Sequence, residues 1–313
     1  MWSTRVFPLV LLFIVAGLAA PSAHAFLFKR DYRTERVIYA RPEGTALRMT
    51  LYLPRAESET PRPAVALFHG GAWLIGTRQQ VGWYARRLAE HGYVAATVSY
   101  RKLPKHGFPA CVYDAKAAVR WLRVHAVELN IDPERIAASG HSAGGHLAMM
   151  LGTTGYGKQF EGEIPSNVSA EVAAVISVYG AVDLTVYQQD TEEGRLEGIS
   201  RKLLDAFLEG VEDKNKEPYV VASPVTYIDE HSAPTLFIQG DEDWLVPPSV
   251  SEKGEAMLRA VGVPTRRVVV EGVGHSFDQF APKRRPAVLK EMLRFLEEHM
   301  GKASGADHVA LAF

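Results

Sequence analysis

The sequence predicts an α/β fold built around a mostly parallel β-sheet. Short apolar runs bounded by Gly, Pro or Asp recur along the chain, and such runs are typical of strands that are buried on both faces of a parallel sheet. Helical patterns, in which apolar residues are spaced by three and four, lie between these runs. Because strand and helix alternate over most of the chain, we expect right-handed crossovers and a single domain over residues 26–313.

The apolar runs predict six buried strands. These are residues 64–68, 94–98, 136–138, 172–178, 235–238 and 268–270. Residues 48–53 alternate in polarity near the start of the chain, and we expect them to add an antiparallel edge strand. The clearest helical stripes lie within residues 112–129 and 289–296, and we interpret both as packing faces.

Residues 180–222 interrupt this alternation. The segment is longer than the connection between a strand and a helix needs, and it is rich in charge from residue 190 to residue 216. Long connections in compact domains are often functional lids. We therefore predict a small helical cap insertion, with residues 199–208 as its best helix.

Composition excludes several classes of protein. The 313 residues include 35 Lys and Arg against 36 Asp and Glu, a formal net charge of −1, so no basic surface for nucleic acid is indicated. Hydrophobic residues make up 47% and charged residues 23%, which is ordinary for a globular domain and argues against disorder. Cys111 is the single cysteine, so neither an internal disulfide nor a cysteine-based zinc site can form.

The first 25 residues have the layout of a secretory signal peptide. An apolar run at residues 6–20 precedes the small-residue site Ala23-His24-Ala25. We predict cleavage after Ala25, which would make the mature protein secreted or periplasmic, with no stable membrane insertion. The run of 15 residues is short for a membrane span, which needs about 20. Lys29 and Arg30 are unusual so close behind a cleavage site, and they leave an uncleaved membrane anchor as the alternative.

A G-x-S-x-G motif predicts a nucleophile at Ser142. Residues 140–145 read GHSAGG and lie between a predicted strand and a helix-forming stretch. On such a sharp turn the serine hydroxyl projects from the sheet edge, and the flanking glycines let the chain reverse without a Cβ clash. The following helix directs its N-terminal amides toward a developing negative charge. Serine is a weak nucleophile at neutral pH, so a base and an acid must come from elsewhere in the chain.

His275 is the predicted base among eleven histidines. It lies in GVGHSF, residues 272–277, directly after a predicted buried strand. Active sites of open α/β sheets lie at the carboxyl ends of the strands, and this position has that placement. His141 and His146 flank the nucleophile, and we interpret them as packing or pocket-wall residues.

Asp243 is the predicted acid that orients His275. It lies in GDEDWLVP, residues 240–247, a few residues past the end of a predicted strand. A carboxylate there can reach over the sheet toward His275, whereas Asp241 is better placed to cap the turn. Asp183 is the alternative acid. The chain order serine, acid, histidine is that of the α/β-hydrolase layout.

The amides of Gly71 and Ala72, with that of Ala143 after the nucleophile, are the predicted oxyanion donors. Residues 69–73 read HGGAW and follow a predicted buried strand. Two adjacent glycines let main-chain amides face a cavity closely, and such amides can hold the oxyanion of a tetrahedral intermediate. His69 is then expected to orient this loop through side-chain hydrogen bonds.

The four motifs together resemble the hormone-sensitive-lipase-like branch of the α/β-hydrolase superfamily, most closely its acetyl esterase, feruloyl esterase and arylformamidase-like carboxylesterases. The similarity extends over about residues 64–300. It implies the α/β-hydrolase fold, with eight mostly parallel strands, helices on both faces and a small helical cap, and a two-step acyl-enzyme mechanism without a cofactor. Ala72 stands where many relatives have a third glycine, which narrows the room for bulky alcohol groups.

These features predict a serine carboxylester hydrolase, and the resemblance together with the modest size of the insertion implies short acyl chains, acetyl to butyryl. The expected partner is a small-molecule ester, with acylated carbohydrate as one option. Trp73 and Trp244 are the predicted substrate-binding residues. Further candidates for the pocket wall are Trp83, Tyr84, Tyr100 and Phe277.

Other functions were weighed against the same residues. An amidase, formamidase or peptidase would use the same three side chains, and it remains the alternative. A non-catalytic binding protein on this fold would be expected to lack one of them. The sequence contains no H-E-x-x-H or paired-cysteine motif, so no metal site is predicted.

Overall fold

The computed structural model describes residues 31–157, 159–162, 167–188, 199–209 and 216–303. Within them, eight strands form one sheet in the order β1-β2-β4-β3-β5-β6-β7-β8. The strands are β1 Tyr32–Ala40, β2 Leu47–Pro54, β3 Arg62–Phe68, β4 Val94–Val98, β5 Ile131–His141, β6 Ala174–Val178, β7 Thr235–Gly240 and β8 Thr265–Val270. The helices are α1 Gly82–Glu90, α2 Ala110–Val124, α3 Ala126–Leu129, α4 Ala143–Thr154, α5 Ile199–Phe207, α6 Glu217–Val221, α7 Pro248–Ala260, α8 Phe277–Phe280 and α9 Arg285–Met300.

The six strands from β3 to β8 pair in parallel, as predicted for the buried runs. Five-residue runs such as β4 and β6 are buried at every position, because helices cover both of their faces. The parallel arrangement brings the carboxyl ends of β5, β6, β7 and β8 to one edge of the sheet. That edge is where the predicted nucleophile, acid and base follow their strands.

One strand prediction was wrong in its position. Residues 48–53 form part of β2, which is antiparallel as expected but lies between β1 and β4 rather than at the edge. The edge strand is β1, where Tyr32 and Tyr39 are buried among exposed and half-buried side chains. An edge strand with one covered face needs few apolar residues, so β1 has no clear apolar signal in the sequence.

Helices pack on both faces of the sheet and enclose two hydrophobic clusters. Alternate residues of β3 divide between them: Phe68 faces one cluster and Leu67 the other. Helices α2, α4 and α7 contribute to the first cluster, and α1 and α9 to the second. The two-residue periodicity of a strand thus separates the layers, and the predicted α/β-hydrolase fold with eight strands is confirmed.

The stripe within residues 112–129 forms two helices instead of one. Helix α2 ends at Val124, His125 leaves the helical region, and the short helix α3 ends at Asn130 in the left-handed conformation. Cys111 lies in the first turn of α2 and is buried, and burial raises the pKa of its thiol. The second stripe, residues 289–296, lies within α9.

The predicted cap helix forms over Ile199–Phe207 as α5, between β6 and β7, and α6 follows it. The predicted signal peptide lies outside the described residues, as do residues 189–198 and 210–215 of the predicted cap insertion. Among the residues described, none of the helices combines the length and apolar character needed to cross a membrane.

Candidate active site

Ser142 lies on a strained turn between β5 and α4. Its backbone has φ 55° and ψ −120°, a conformation that is uncommon for a residue with a Cβ. A side chain at Gly140 would overlap the carbonyl of Gly144, and one at Gly144 would overlap the carbonyl of Phe68. The glycines of the motif therefore let the turn close, and the Ser142 amide donates to the Val178 carbonyl at 2.9 Å. This bond ties the turn to the end of β6.

Ser142, His275 and Asp243 form a continuous chain of side-chain contacts. His275 Nε2 lies 2.9 Å from Ser142 Oγ, and His275 Nδ1 lies 2.8 Å from Asp243 Oδ2. Because an ionised carboxylate only accepts hydrogen bonds, Nδ1 carries the proton and donates it to Asp243. The other ring nitrogen is then free to accept the hydroxyl proton of Ser142. This is the geometry that activates a serine.

Asp243 is held by hydrogen bonds from its own loop. Its Oδ1 accepts from the amides of Leu245 and Val246, at 3.1 and 2.9 Å, and Oδ2 also accepts from Gln239 Nε2 at 2.9 Å. Gln239, the next-to-last residue of β7, also donates to the Val246 carbonyl at 3.0 Å. Gln239 could not be predicted as part of the site, because its only signal in the sequence is a polar residue at the end of a buried strand.

The competing acids have other roles. Asp241 accepts from the amide of Gly272 at 2.8 Å, so it caps the loop before His275 and not the turn in which Asp241 itself lies. Asp183 accepts from the amide and hydroxyl of Thr185 and from Lys253 Nζ. Both carboxylates therefore stabilise loops, while Asp243 contacts the histidine.

The loop after β3 packs directly against the serine turn. A Cβ at Gly70 would lie 3.0 Å from the His141 carbonyl oxygen, and Ala72 and Trp73 have positive φ of 50° and 55°. In the part of the chain that the structure describes, the amides of Gly71 and Ala72 have no hydrogen-bond acceptor. Ala143 begins α4, and amides in the first turn of a helix have no partner within it. These are the three predicted oxyanion donors.

His69 holds the start of this loop. Its Nδ1 donates to the Gly70 carbonyl at 2.7 Å, and its ring stacks on Tyr100 with centroids 4.5 Å apart. The Tyr100 hydroxyl in turn donates to the His69 carbonyl at 2.8 Å. Burial lowers the pKa of His69 to about 4, so the ring is neutral near pH 7.

An apolar cavity of about 150 Å³ lies beside Ser142. Ala72, Trp73 and Ala143 line it together with Ser142, whereas Gly71 does not reach it. The rest of the lining comes from the segments after β6 and β7: Ala181, Leu184, Tyr187, Leu203, Leu204, Leu245 and Val246. Leu203 and Leu204 belong to α5 of the predicted cap insertion. The sequence predicts a cap in this segment, but no pattern in it indicates which of its residues line the cavity.

The two predicted substrate-binding tryptophans occupy different environments. Trp73 is buried, lines the cavity, and stacks on Phe207 of α5 with ring centroids 4.1 Å apart. Trp244 is 76% exposed and does not line the cavity. The other aromatic candidates pack in the hydrophobic clusters and do not line the cavity: Trp83, Tyr84, Tyr100 and Phe277.

The flanking histidines are both buried. His146 Nε2 donates to the Ala222 carbonyl at 2.8 Å, which connects α4 to the residue after α6, and burial lowers the pKa of His146 to about 4. His141 lies under the serine turn beside Asp278. Within the described ranges, no group of three or more His, Cys, Asp and Glu side chains could hold a metal ion.

Comparison with known proteins identifies the family. Residues 49–258 match the family model BD-FAE. Esterase LipC of Mycobacterium tuberculosis is 27% identical over 92% of this chain and 71% of its own length. A probable isoprenylcysteine alpha-carbonyl methylesterase, ICMEL1 of Arabidopsis thaliana, is 28% identical over 80% of this chain. This chain spans about half, 52%, of the length of ICMEL1.

Solved structures show the same fold. The apo form of Thermogutta terrifontis esterase 2 superposes with a TM-score of 0.73 and 28% sequence identity, covering 86% of this chain and 96% of that one. The propionate-bound form of the same esterase has a TM-score of 0.71 at 27% identity, with the same coverage. Because the family model matches more than half of the chain, this protein belongs to the BD-FAE family and has the α/β-hydrolase fold of the carboxylesterases.

Proposed function

We propose that this protein hydrolyses carboxylic esters of short acyl chains, with Ser142 as nucleophile, His275 as general base and acid, and Asp243 as the residue that orients His275. The observation that carries the proposal is the chain of contacts from Asp243 through His275 to Ser142 beside an apolar cavity. The names of the relatives, an esterase and a probable methylesterase, support the same reaction class.

The reaction proceeds in two steps. Ser142 Oγ attacks the ester carbonyl while His275 Nε2 takes its proton, and Asp243 stabilises the resulting imidazolium. The carbonyl oxygen becomes an oxyanion, which the amides of Ala72 and Ala143 hold, with that of Gly71 next to them. The imidazolium then returns the proton to the leaving alcohol. A water molecule, deprotonated by His275, attacks the acyl-serine; the bond to Ser142 Oγ breaks, His275 returns the proton to Oγ, and the carboxylic acid is released.

The cavity supports a short acyl chain. Its volume of about 150 Å³ is closed on the side of α5 by Leu204 and on the side of the oxyanion loop by Trp73. Both side chains are largely buried and cannot move away without opening the core. The solved structure of the related esterase 2 with propionate bound is consistent with an acid of this size. We propose acetyl to butyryl esters, acylated carbohydrates among them, as the substrates.

We also propose that the mature protein is exported and begins at Phe26. The support is the apolar run at residues 6–20 followed by Ala23-His24-Ala25. The experiment is to express the full chain in a bacterium, fractionate the cells, and sequence the N-terminus of the recovered protein. An N-terminus at Met1 in the membrane fraction would instead support the uncleaved anchor.

The test of the proposed reaction is the hydrolysis of 4-nitrophenyl esters from acetate to octanoate. We expect rates to be highest between acetate and butyrate, and Ser142→Ala to lose essentially all activity. Ser58→Ala, in the loop between β2 and β3, is the matched control and should keep the full rate. An unchanged rate in Ser142→Ala would disprove the assignment of the nucleophile, and a maximum at octanoate would disprove the short acyl chain. The corresponding 4-nitroanilides measure the amidase alternative on the same acyl groups, and faster cleavage of the anilides would replace the ester proposal.

A further inference from the structure

We propose that Asp278 is a positioning residue for this site: its buried carboxylate joins the loop that carries His275 to the structural elements that hold Ser142. The inference rests on the proposed function, because it assigns a role to Asp278 in keeping the serine and the histidine at bonding distance. Asp278 does not touch Ser142 or His275 through any hydrogen bond that the structure contains among its described residues.

The Asp278 side chain contacts three different elements. The Tyr84 hydroxyl, on α1, donates to Oδ2 at 2.7 Å, and the Tyr179 hydroxyl, directly after β6, donates to Oδ1 at 2.5 Å. His141 Nε2, on the residue before the nucleophile, lies 3.5 Å from Oδ2. Asp278 itself follows His275 by three residues, in α8. One carboxylate therefore connects α1, the end of β6, the serine turn and the histidine loop.

This carboxylate is buried and charged. Asp278 is 1% exposed, and burial by itself would raise its pKa. The charge interaction with His141 and the hydrogen bonds from Tyr179 and Tyr84 outweigh burial and hold the pKa of Asp278 well below its usual range. A buried carboxylate that keeps its charge loses hydration and needs good partners to offset that loss. An apolar side chain could fill the same space without any hydrogen-bond partner. The carboxylate therefore does more than fill space: it fixes the positions of the groups that bond to it.

Tyr179 connects this carboxylate to the catalytic geometry. Its ring contacts the His275 ring, with centroids 4.8 Å apart and planes at 62°. Its backbone has a positive φ of 39°, and its amide donates to the Ile238 carbonyl at 2.8 Å. The preceding residue, Val178, accepts the hydrogen bond from the Ser142 amide. The end of β6 thus touches both the imidazole and the nucleophile, and the hydroxyl bond to Asp278 fixes the tyrosine between them.

The distance between His275 and Ser142 limits the rate of proton transfer. Proton transfer from Ser142 requires His275 Nε2 to stay near its present 2.9 Å from Oγ, and displacements of about 1 Å at a reacting group can cost about 100-fold in rate. The loop after β7 already holds the loop of His275, through Asp243 and Asp241. Asp278 and Tyr179 supply a second tether, to α1 and the end of β6.

The experiment compares Asp278→Asn, Tyr179→Phe and the double variant on 4-nitrophenyl acetate. We expect Asp278→Asn to lower kcat about 10- to 100-fold with KM changed less than threefold, because acyl binding in the cavity is untouched. Tyr179→Phe should lower kcat about tenfold in the native background and by less than twofold when Asp278 is already Asn. That non-additivity is the mark of a shared network.

The matched control is Tyr39→Phe, which removes another buried tyrosine hydroxyl, bonded to the Ser99 carbonyl and not to Asp278 or the three proposed catalytic residues. It should lower thermal stability to a similar extent as Tyr179→Phe while kcat stays within twofold. If Asp278→Asn does not fold, Tyr179→Phe and Tyr84→Phe keep the carboxylate and still test the tether.

The inference would be overturned if Asp278→Asn, Tyr179→Phe and the double variant were less stable but kept the native kcat. It would also be overturned if the fold-losses in kcat of the two single variants multiplied in the double variant. That outcome would leave the proposed function intact provided that Ser142→Ala is inactive. An active Ser142→Ala would instead disprove the proposed function itself, so the two failures are separable.

Discussion

The two walls of the active site differ in what holds them in place. On the sheet side, directional hydrogen bonds to main-chain groups fix Ser142 at the end of β6 and Asp243 in the loop after β7. On the cap side, Leu203 and Leu204 line the cavity and Phe207 stacks on Trp73, so apolar contact holds that wall. Directional hydrogen bonds therefore hold the sheet side, and apolar packing holds the cap side.

The sheet side is therefore expected to control the reaction, and the cap side the choice of acyl chain. Hydrogen-bonded groups on a rigid sheet hold reacting atoms within the narrow limits that proton transfer requires. Apolar contacts are non-directional, so their side chains can be exchanged for others of similar volume at small cost. We therefore expect changes on the sheet side to abolish turnover and changes on the cap side to redirect it.

The largest expected effect is that of Asp243→Asn. The amide can donate a hydrogen bond to Nδ1 and so stabilise the wrong tautomer of His275, which should lower kcat about 10⁴-fold with the fold intact. Asp241→Asn, two residues away, is the control, and it should keep kcat within a few-fold of native because Asp241 only caps the loop. Steady-state kinetics on 4-nitrophenyl butyrate provide the measurement. A loss of kcat below tenfold in Asp243→Asn would mean that the hydrogen bond from His275 to Asp243 does not control the tautomer as proposed.

A second expected effect is a loss of stability in acid, to which a buried histidine on each side of the site contributes. Burial lowers the pKa of His69, in the oxyanion loop, and of His146, bonded to Ala222 next to α6, to about 4 in each case. An unfolded histidine has a pKa near 6.5, so between pH 6.5 and 4 the unfolded chain binds more protons than the folded one. Stability therefore falls as the pH drops through this window, by about 3 kcal/mol for each histidine at pH 4.

Urea denaturation at pH 7, 5.5 and 4.5 measures this loss. His146→Gln should show a shallower dependence on pH than the native protein, whereas His231→Gln, which changes an exposed histidine, should show the native dependence. Equal slopes in the native protein and His146→Gln would contradict the assignment of His146 as a buried neutral group.

On the cap side, Leu204→Ala should enlarge the cavity and move the preferred acyl chain toward hexanoate or octanoate. We expect the ratio of kcat/KM for octanoate over acetate to rise about tenfold, and stability to fall by about 2 to 3 kcal/mol from the lost contacts. Leu258→Ala, in α7 away from the cavity, should lose a similar amount of stability with an unchanged chain-length profile. The same profile in both variants would show that α5 does not set the acyl limit.

The smallest expected effect is that of Trp244→Ala. This side chain is 76% exposed and lies outside the cavity, so kcat/KM on 4-nitrophenyl acetate should change less than twofold. Esters of larger alcohols, such as acetylated oligosaccharides, test its contribution beyond the acyl group. A tenfold loss on the nitrophenyl ester would place Trp244 in direct contact with the reacting substrate.

Much of the fold could be predicted because its signals are local. Fully buried strands such as β4 carry unbroken apolar runs, and the turn at Ser142 needs glycines within two residues of the serine. The edge strand β1 could not be predicted, because its burial depends on a single covered face and its sequence carries Arg33, Glu35 and Arg36. The break between α2 and α3 at His125 could not be predicted either, because the spacing of apolar residues continues unchanged across it.

The site was predicted unevenly for a similar reason. Ser142, His275 and Asp243 each follow a strand that the pattern identifies, so the parallel sheet brings them to one edge. Gln239, Tyr179 and Asp278 carry no motif of their own. Their roles come from partners that are far away in sequence; Tyr179 and Asp278, for example, are 99 positions apart.

The sequence alone determined which side chains could carry out acyl transfer and which end of the strands they follow, because nucleophile turns, strand ends and glycine loops are encoded over a few adjacent residues. Tertiary structure decided how closely those side chains approach one another, how large the apolar cavity is, and which residues bond to the buried Asp278 carboxylate. Those properties depend on packing between segments that are distant in the chain, and no local pattern records the distance between them.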